Sequence, residues 1–315
     1  MFKGVDFFPH GTTFPIMQMR RYFVTVSLVA ALGAIALLAT QGLNFGIDFK
    51  GGSLFEIQTK SGNVDVTELR DTLGGLGLGE VQIQELDTPT EALIRVETQQ
   101  GGETAQQEAA KKVQNALGEN IEIRRVEVVG PTVSGELQEA GILAVSIAIV
   151  GILLYIWFRF EWQFGVAAIL ALMHDIIITM GVFSLLGFDF GLTEVAALLT
   201  LAGYSINDSV VVFDRIRENL RRYKKMPLEE LLNLSINETL SRTILTSTST
   251  FLAVFALYAF GTEVIQGFAF AMLFGIIIGT WSSIFVAAPF LLWIGVKRDW
   301  SSAASAKPNP ATSKA

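Results

Sequence analysis

The chain has 315 residues, of which 51% are hydrophobic and only 17% are charged, and its net charge is −7. A soluble domain typically has about a quarter charged residues, so this composition points away from a soluble protein. The absence of cysteine excludes disulfides, thiol nucleophiles and cysteine-ligated metals, and no basic face is large enough to indicate nucleic-acid binding.

The apolar residues form six blocks, each close to the roughly 20 residues that one helix needs to cross the hydrocarbon of a bilayer. The blocks are apolar on all sides, whereas a soluble helix has an apolar stripe on one side. They lie at about 22–41, 138–158, 163–186, 192–213, 243–261 and 266–294. The first block is longer than the apolar part of a signal peptide and is followed by no cleavage site, so we expect an uncleaved anchor. An α-helical polytopic membrane protein is predicted.

Residues 42–137 are more polar and predict a folded domain outside the bilayer. Alternating segments predict strands and amphipathic segments predict helices. In chain order they are strand 53–59, helix 66–76, strands 81–86 and 93–98, helix 104–117 and strand 121–129. Asp65 is the expected N-cap of the first helix. The order β-α-β-β-α-β is that of a ferredoxin-like α+β domain.

The distribution of Lys and Arg predicts the orientation, because short cytoplasmic loops are enriched in these residues. The basic positions next to the spans are Arg20, Arg21, Arg159, several residues of 214–241, Lys297 and Arg298. All of them lie in the cytoplasm if the chain crosses the membrane six times. Residues 1–21 are then a cytoplasmic N-terminal segment and 214–241 a cytoplasmic loop. Residues 295–315 are a cytoplasmic tail whose composition predicts disorder, and 42–137 lies on the opposite side.

Ionisable residues within a span cost several kcal/mol and therefore point to function. Asp208 lies in the inner half of the fourth span, and Arg242 opens the fifth span at a similar depth. Paired with Arg242, Asp208 stays ionised, whereas separated in a medium of low dielectric it favours protonation. The pair is a candidate proton switch. A static pair that fixes helix register, or an Arg242 that only reaches to the interface, are the alternatives.

The secondary candidates for proton coupling are His174 and Asp175 in the third span, Ser205 and Asn207 in the fourth, and Thr246 in the fifth. Hydroxyl groups such as those of Ser205 and Thr246 share helix faces with the charged residues and provide positions for bound water. For His174 and Asp175 the alternative is a neutral histidine bonded between helices. No second histidine or acid lies near them in sequence, so no metal site is predicted.

Small residues recur every fourth position in the sixth span, among them Gly275 and Gly279. Such a ridge allows close approach of another helix. It predicts helix packing within the chain or an interface with another membrane subunit.

Several of these segments together resemble the SecF family of bacterial protein-export membrane proteins. The matching segments are 45–52 (FGIDFKGG), 129–131 (VGP), 135–137 (GEL), 174–175 (HD), 203–208 (GYSIND), 213–219 (FDRIREN), 241–243 (SRT), 279–280 (GT), 282–283 (SS) and 287–289 (AAP). They occur in the order and on the spans that the family has, and the resemblance covers roughly residues 20–295. Ser134 and Phe285 depart from it, since glycine and tyrosine are common there.

The resemblance implies a six-helix half of a bundle of the RND type, completed by SecD, with a periplasmic ferredoxin-like domain. It implies a bacterial inner-membrane subunit that uses the proton-motive force to assist preprotein translocation and release, with Asp208 and Arg242 at the family's coupling positions. Sodium is left open as the coupling ion, and no cofactor is expected. The implied partners are SecD, the SecYEG translocon, SecA and preproteins, with YidC and YajC as candidate further neighbours and without nucleic acid.

Two other functions remain open from the sequence. One is an RND-type exporter of small hydrophobic molecules or lipids. Such an exporter usually has both six-helix halves and two large external domains in one chain, whereas this chain has one six-helix half and one external domain. A scaffold that only stabilises a translocon needs no buried acid and base. No GxxxxGK[ST] motif is present, so ATP hydrolysis by that route is excluded and the chain is not expected to be an enzyme.

Overall fold

The computed structural model describes residues 13–86 and 88–296. In chain order the elements are α1 (Arg20–Thr40), β1 (Asn44–Phe45), α2 (Ile47–Lys50), β2 (Gly52–Thr59), α3 (Val66–Gly74), β3 (Val81–Glu85), β4 (Glu91–Val96), α4 (Gly102–Ala116), β5 (Ile121–Val129), α5 (Pro131–Arg159), α6 (Trp162–Leu186), β6 (Asp189–Phe190), α7 (Leu192–Arg222), α8 (Leu228–Phe260), α9 (Glu263–Ser282), a π turn (Ser283–Ala287) and α10 (Ala288–Ile294).

Within the described ranges, six helical segments are long and apolar enough to cross a membrane. They are α1, α5, α6, α7, α8 and the continuous segment Ile265–Ile294, which includes the π turn and α10. The prediction of six spans is therefore confirmed. The helices form part of two compact units, one of residues 41–149 and 183–196 and the other of the remaining described residues.

The first unit, here called the sheet unit, contains a four-stranded antiparallel sheet in the order β3-β4-β2-β5. With the helices α3 and α4 between its strands, this is the predicted ferredoxin-like arrangement. Alternate residues of the strands, such as Phe55, Ile57 and Ile94, point into an apolar core that includes Leu73 and Val113 of the helices. Period-2 alternation places one face of each strand in this core.

The helices and strands of the sheet unit begin and end close to the residues predicted from the sequence. Asp65 caps α3 as predicted, because its carboxylate accepts hydrogen bonds from the backbone N–H groups of Thr67 and Glu68 at 2.9 and 3.0 Å. The strand predicted at 93–98 instead covers Glu91–Val96. Thr98 lies beyond the strand, and its hydroxyl donates to the carbonyl of Lys50 at 2.6 Å.

Two consecutive glycines lead into β2, an inner strand of this sheet, and have backbone conformations that other residues avoid. Gly51 and Gly52 have φ angles of +70° and +120°, in the region where a side chain would be strained. A Cβ atom on Gly52 would also lie 2.5 Å from the carbonyl oxygen of Val96. The Gly-Gly pair in the FGIDFKGG motif is thus required by the turn from α2 into β2.

The second unit, here called the helical unit, has its apolar core at one end. Phe164, Phe213 and Ile216 contribute to it from α6 and α7, and Leu231 and Ile236 from α8. All five side chains are buried. This core extends past the predicted ends of the fourth and fifth spans.

The segment 214–241, predicted as a cytoplasmic loop, is mostly helical. The helix α7 continues to Arg222 and α8 begins at Leu228, so the connection between them is only residues 223–227. The sequence predicts a cytoplasmic connection between spans here without assigning its secondary structure. Apolar residues at helical spacing between the charged ones pack in this core and account for the helices.

The N-terminal segment contacts the first turns of α8. The backbone N–H of Phe14 donates to Asn237 Oδ1 at 2.8 Å, and Arg20 forms an ion pair with Glu229 at 2.6 Å. Residues 1–12 of the predicted N-terminal segment, and the predicted disordered tail from residue 297 onward, lie outside the described residues.

Candidate functional site

The membrane helices of the helical unit bury a set of polar side chains. Burial of a polar group is favourable only when hydrogen bonds replace those lost from water, and burial of a charge needs more compensation still. The buried polar residues at the centre of this set are His174, Asp175, Ser205, Asp208, Ser282 and Ser283. They come from α6, α7, α9 and the π turn.

Asp175 is completely buried in the middle of α6. Its Oδ2 atom accepts hydrogen bonds from the hydroxyl of Ser205 on α7 at 2.6 Å and of Ser282 on α9 at 2.8 Å. Its Oδ1 atom lies 3.0 Å from Nδ1 of the neighbouring His174. One carboxylate therefore joins three membrane helices. Within the described part of the chain, the other ring nitrogen of His174, Nε2, is buried without a hydrogen-bond partner.

Asp208 lies one helical turn after Ser205 on α7 and is 6% exposed. Its Oδ2 atom accepts a hydrogen bond from the hydroxyl of Ser283 at 2.7 Å. Arg242 of α8 is close enough to interact with this carboxylate electrostatically, and the hydroxyl of Thr243 is buried beside it. Asp208 thus accepts one hydrogen bond from a hydroxyl group and has a cation nearby, whereas Asp175 has three hydrogen-bond partners.

The structure brings Arg242 near Asp208 without a direct contact. Among the residues that the structure describes, no ion pair or hydrogen bond joins these two side chains, and Arg242 is exposed at the surface of α8. The side chains of Asp208 and Arg242 are therefore not paired in this conformation, and the hydrogen bond to the Asp208 carboxylate comes from Ser283.

The other secondary candidates lie away from the two acids. Asn207 is exposed although it precedes the buried Asp208, because adjacent residues of a helix point about 100° apart. Thr246 is also exposed, and its hydroxyl donates to backbone carbonyls of its own helix, those of Arg242 and Thr243, at 3.0 and 2.9 Å.

The glycines of the sixth span pack α9 closely against α7. A Cβ atom on Gly275 would lie 2.5 Å from Leu201 Cδ1, and one on Gly279 would lie 3.2 Å from Ser205 Cβ. The ridge therefore forms a contact within the chain at these positions. Gly279 also lets α9 approach the helix that holds Ser205 against Asp175.

Sequence reasoning missed the roles of Ser282 and Ser283. These serines are the hydroxyl donors to Asp175 and Asp208, and the π turn begins at Ser283. Single π turns within helices are frequent at functional sites. Two adjacent serines inside an otherwise apolar span are the signal that could have indicated them, since each needs a partner there.

Comparison with known proteins identifies the family. The model of the SecD/SecF C-terminal region of protein export membrane proteins matches residues 109–297, and that of the SecD/SecF GG motif matches residues 36–62. The chain belongs to the SecD/SecF family. The site residues of the helical unit all fall within the first match, and Gly51 and Gly52 fall within the second.

Relatives in the SecD/SecF family include single subunits and longer chains. The chain is 46% identical to protein translocase subunit SecF of Desulfurispirillum indicum, over 89% of this chain and 91% of that protein. It is 48% identical to SecF of Cereibacter sphaeroides over 87% and 88%. It is 43% identical to protein translocase subunit SecDF of Brucella abortus, over 92% of this chain but only 38% of that protein.

A solved structure has the same fold. The crystal structure of SecDF, a translocon-associated membrane protein from Thermus thermophilus, superposes with a TM-score of 0.82 at 37% identity. The match covers 91% of this chain and 39% of that one. Together with the six apolar helices, the family makes this chain a multi-pass membrane protein.

Proposed function

We propose that the chain is the SecF-type subunit of a protein translocase and uses the proton-motive force to assist preprotein translocation and release at the periplasmic side of the bacterial inner membrane. The observation that carries the proposal is Asp208, a carboxyl buried in a membrane helix near Arg242. It occurs in a chain similar to proteins named as translocase subunits.

The chemistry required of Asp208 is reversible proton binding. A carboxyl in a site of low dielectric favours its neutral form, and an approaching cation favours its ionised form. Arg242 remains charged under all physiological conditions. Movement of Arg242 toward or away from Asp208 therefore changes the proton occupancy of the carboxyl. A conformational cycle that exposes Asp208 alternately to the two sides of the membrane couples proton flow to motion. The chain needs no cofactor for this, and sodium is the alternative coupling ion.

The exposed face of α8 supports a second membrane subunit as partner. Arg242 is exposed at the start of the apolar part of α8, and Thr246 and Ser249 follow on its exposed surface. A guanidinium is costly in contact with lipid, so another protein surface is the expected neighbour. The longer SecDF relatives contain more than twice the length of this chain. We therefore assign SecD as the partner that covers Arg242.

Further partners follow from the resemblance of the chain to translocase subunits. A subunit that assists export acts next to the SecYEG channel, after SecA has driven the preprotein into it, and YidC and YajC are candidate neighbours. The basic residues near the spans support cytoplasmic termini and a periplasmic position for the domain of residues 42–137. That domain then lies where an emerging preprotein can contact it.

The test is preprotein release in membrane vesicles with and without an imposed proton gradient. Asp208→Asn fixes the side chain in a neutral form, so the gradient-dependent part of release is expected to disappear while assembly with SecD persists. Asp214→Asn is the matched control on the same helix, because Asp214 forms a half-exposed ion pair with Arg159 at 2.9 Å, and such pairs contribute little.

Gradient-dependent release by Asp208→Asn at the level of the unmodified protein would contradict the proposal. The same assay with a sodium gradient at constant pH distinguishes the two coupling ions. Release that responds to sodium alone would replace the proton in the proposal by sodium.

A further inference from the structure

The two buried acids of the helical unit are connected through neighbouring serines. Ser282 donates to Asp175 and Ser283 donates to Asp208, at 2.8 and 2.7 Å. Because adjacent side chains on a helix point about 100° apart, two consecutive residues reach acids on two different helices. The link is short and lies wholly within the buried part of the bundle, since both serines are 0% exposed.

Each serine hydroxyl has a second acceptor within reach. The Ser282 hydroxyl lies 3.1 Å from the carbonyl oxygen of Gly279, and that of Ser283 lies 2.9 Å from the same oxygen. Ser283 also lies 3.2 Å from the carbonyl of Thr280. A hydroxyl has only one proton to donate, so each serine donates either to its acid or to the backbone.

The Gly279 carbonyl cannot serve both serines equally. It already accepts the backbone N–H of Ser283, and a carbonyl oxygen has two lone pairs. One acceptor position remains for two hydroxyls. When Ser283 turns to Gly279, Ser282 is favoured in its orientation toward Asp175. When Ser282 turns to Gly279, Ser283 keeps Asp208 or the longer contact to Thr280.

This arrangement depends on the protonation of the acids. An ionised carboxylate accepts the serine hydroxyl. A protonated carboxyl gains a donor of its own and can donate to the serine oxygen. In that arrangement the serine hydroxyl turns to a backbone carbonyl. With both acids protonated, the two serines compete for the Gly279 carbonyl and Ser283 is left with its longer contact to Thr280. Two ionised acids would place two negative charges in one buried cluster. The state with one proton avoids both costs.

The geometry points to Asp175 as a second proton-binding carboxyl, whose protonation is coupled to that of Asp208 through Ser282, Ser283 and the Gly279 carbonyl. This rests on the proposed function, in which Asp208 exchanges a proton. Each acid exchanges its proton with water, so one carboxyl O–H bond forms or breaks as one water O–H bond breaks or forms, and the serine hydroxyls only change their acceptor. Occupation of Asp175 then favours release of the proton from Asp208, and the reverse.

The surroundings of the two acids differ in a way that fits this role. The titratable neighbour of Asp175 is His174 of its own helix, while α7 and α9 present only hydroxyls to it. Asp208 faces Arg242 and Thr243 of α8 and Ser283 of the π turn. Only Asp208 has a cation on a facing helix, so movement of α8 acts first on Asp208 and reaches Asp175 through the serines.

Infrared difference spectroscopy tests the inference, because a protonated carboxyl has a distinct C=O stretching band. The full chain, with its partner subunit when the two co-purify, is titrated between about pH 4 and 9, the range open to perturbed carboxyls. We expect two carboxyl steps separated by more than about 1 pH unit, as for interacting sites. Asp175→Asn should leave one step for Asp208, at lower pH than the upper step of the unmodified protein.

Two serine variants separate the link from simple hydrogen bonding. Ser205→Ala and Ser282→Ala each remove one hydroxyl donor from the same oxygen, Asp175 Oδ2. Only Ser282 also reaches Gly279 and lies next to Ser283. The difference in pH between the two carboxyl titration steps should become smaller in Ser282→Ala and stay the same in Ser205→Ala. These variants keep both acids and decide the question even when Asp175→Asn does not fold.

Equal separations in the two serine variants, or an Asp208 step that Asp175→Asn leaves unchanged, would overturn the inference. This failure differs from failure of the proposed function. Suppose that Asp208→Asn abolishes gradient-dependent release but the pH at which Asp208 titrates is the same with and without Asp175. Only the coupling between the two acids is then refuted. If Asp208→Asn retains that release, the proposed function itself fails.

Discussion

The sheet unit and the helical unit both bury polar side chains, but they bury different kinds. In the sheet unit Gln106 is 0% exposed. Its Nε2 donates to the Ser53 hydroxyl at 2.8 Å, and its Oε1 accepts the backbone N–H of Gln99 at 2.7 Å. The group is neutral and its bonds lie within an ordinary apolar core.

In the helical unit the corresponding buried groups can be charged. Asp175 and Asp208 take hydroxyl donors that have other acceptors available, and Arg242 lies near Asp208 without contact. The comparison separates two uses of a buried polar group. Fixed bonds to a neutral amide hold a fold together, whereas alternative bonds around an acid allow its protonation to change. The sheet unit should therefore respond to substitution in stability, and the helical unit in function.

The largest expected effect is on Arg242. Arg242→Ala removes the cation near Asp208, so ionisation of the acid is no longer favoured, and gradient-dependent release should fall to the level seen without a gradient. Arg242→Lys should retain part of it, because it keeps the charge without the planar fork. Vesicle release measures both.

A double variant distinguishes a switch from a static pair that only fixes helix register. Asp208→Asn with Arg242→Gln removes both charges and should remain inactive. Full recovery of assembly and of gradient-dependent release in this double variant would show that the pair is structural.

The next effect concerns packing of the helical unit. Gly275→Leu places a side chain where Leu201 already lies, and overpacking of this kind costs about 1–3 kcal/mol. Thermal unfolding in detergent should occur at lower temperature. Gly203→Leu is the control on α7, because a Cβ atom on Gly203 meets nothing within 4 Å. Equal melting temperatures for the two variants would place the glycine ridge against lipid.

The smallest effect on gradient-dependent release is expected at Gln106. Gln106→Met keeps the shape of the side chain but leaves the Ser53 hydroxyl and the Gln99 N–H unpaired, at a cost of about 1–3 kcal/mol. Hydrogen exchange of the full chain should become faster in α4 while gradient-dependent release is retained. Gln107→Met, at an exposed position of the same helix, should change neither. Loss of release in Gln106→Met with unchanged exchange would remove the distinction between the two units.

Much of this fold follows from patterns that act locally along the chain. Six apolar blocks predict six spans because each satisfies the length and composition that a bilayer demands. Alternation in 53–59 and 121–129, with Asp65 as a cap, predicts the sheet unit because these signals need no distant partner. Asp175 and Asp208 can also be recognised from the sequence alone, because an acid within an apolar span is energetically unfavourable whichever helices surround it.

The remaining features depend on which helices meet. The sequence does not distinguish Asn207 from Asp208 until the packing of α7 exposes one and buries the other. Ser282 and Ser283 acquire their roles only from the acids of α6 and α7. The continuation of α7 and α8 through 214–241 depends on an apolar core formed between distant segments, which the charged residues there do not indicate.

The length of α7 has a mechanical consequence. Its 31 residues at 1.5 Å each give a rod of about 46 Å, while the hydrocarbon core is about 30 Å thick. Some 16 Å of rigid helix therefore extends beyond the apolar layer. A tilt of about 10° at Asp208 would displace the end of this rod at Arg222, about 21 Å away, by roughly 4 Å. A small rearrangement around one carboxyl is thus transmitted outward as by a lever arm.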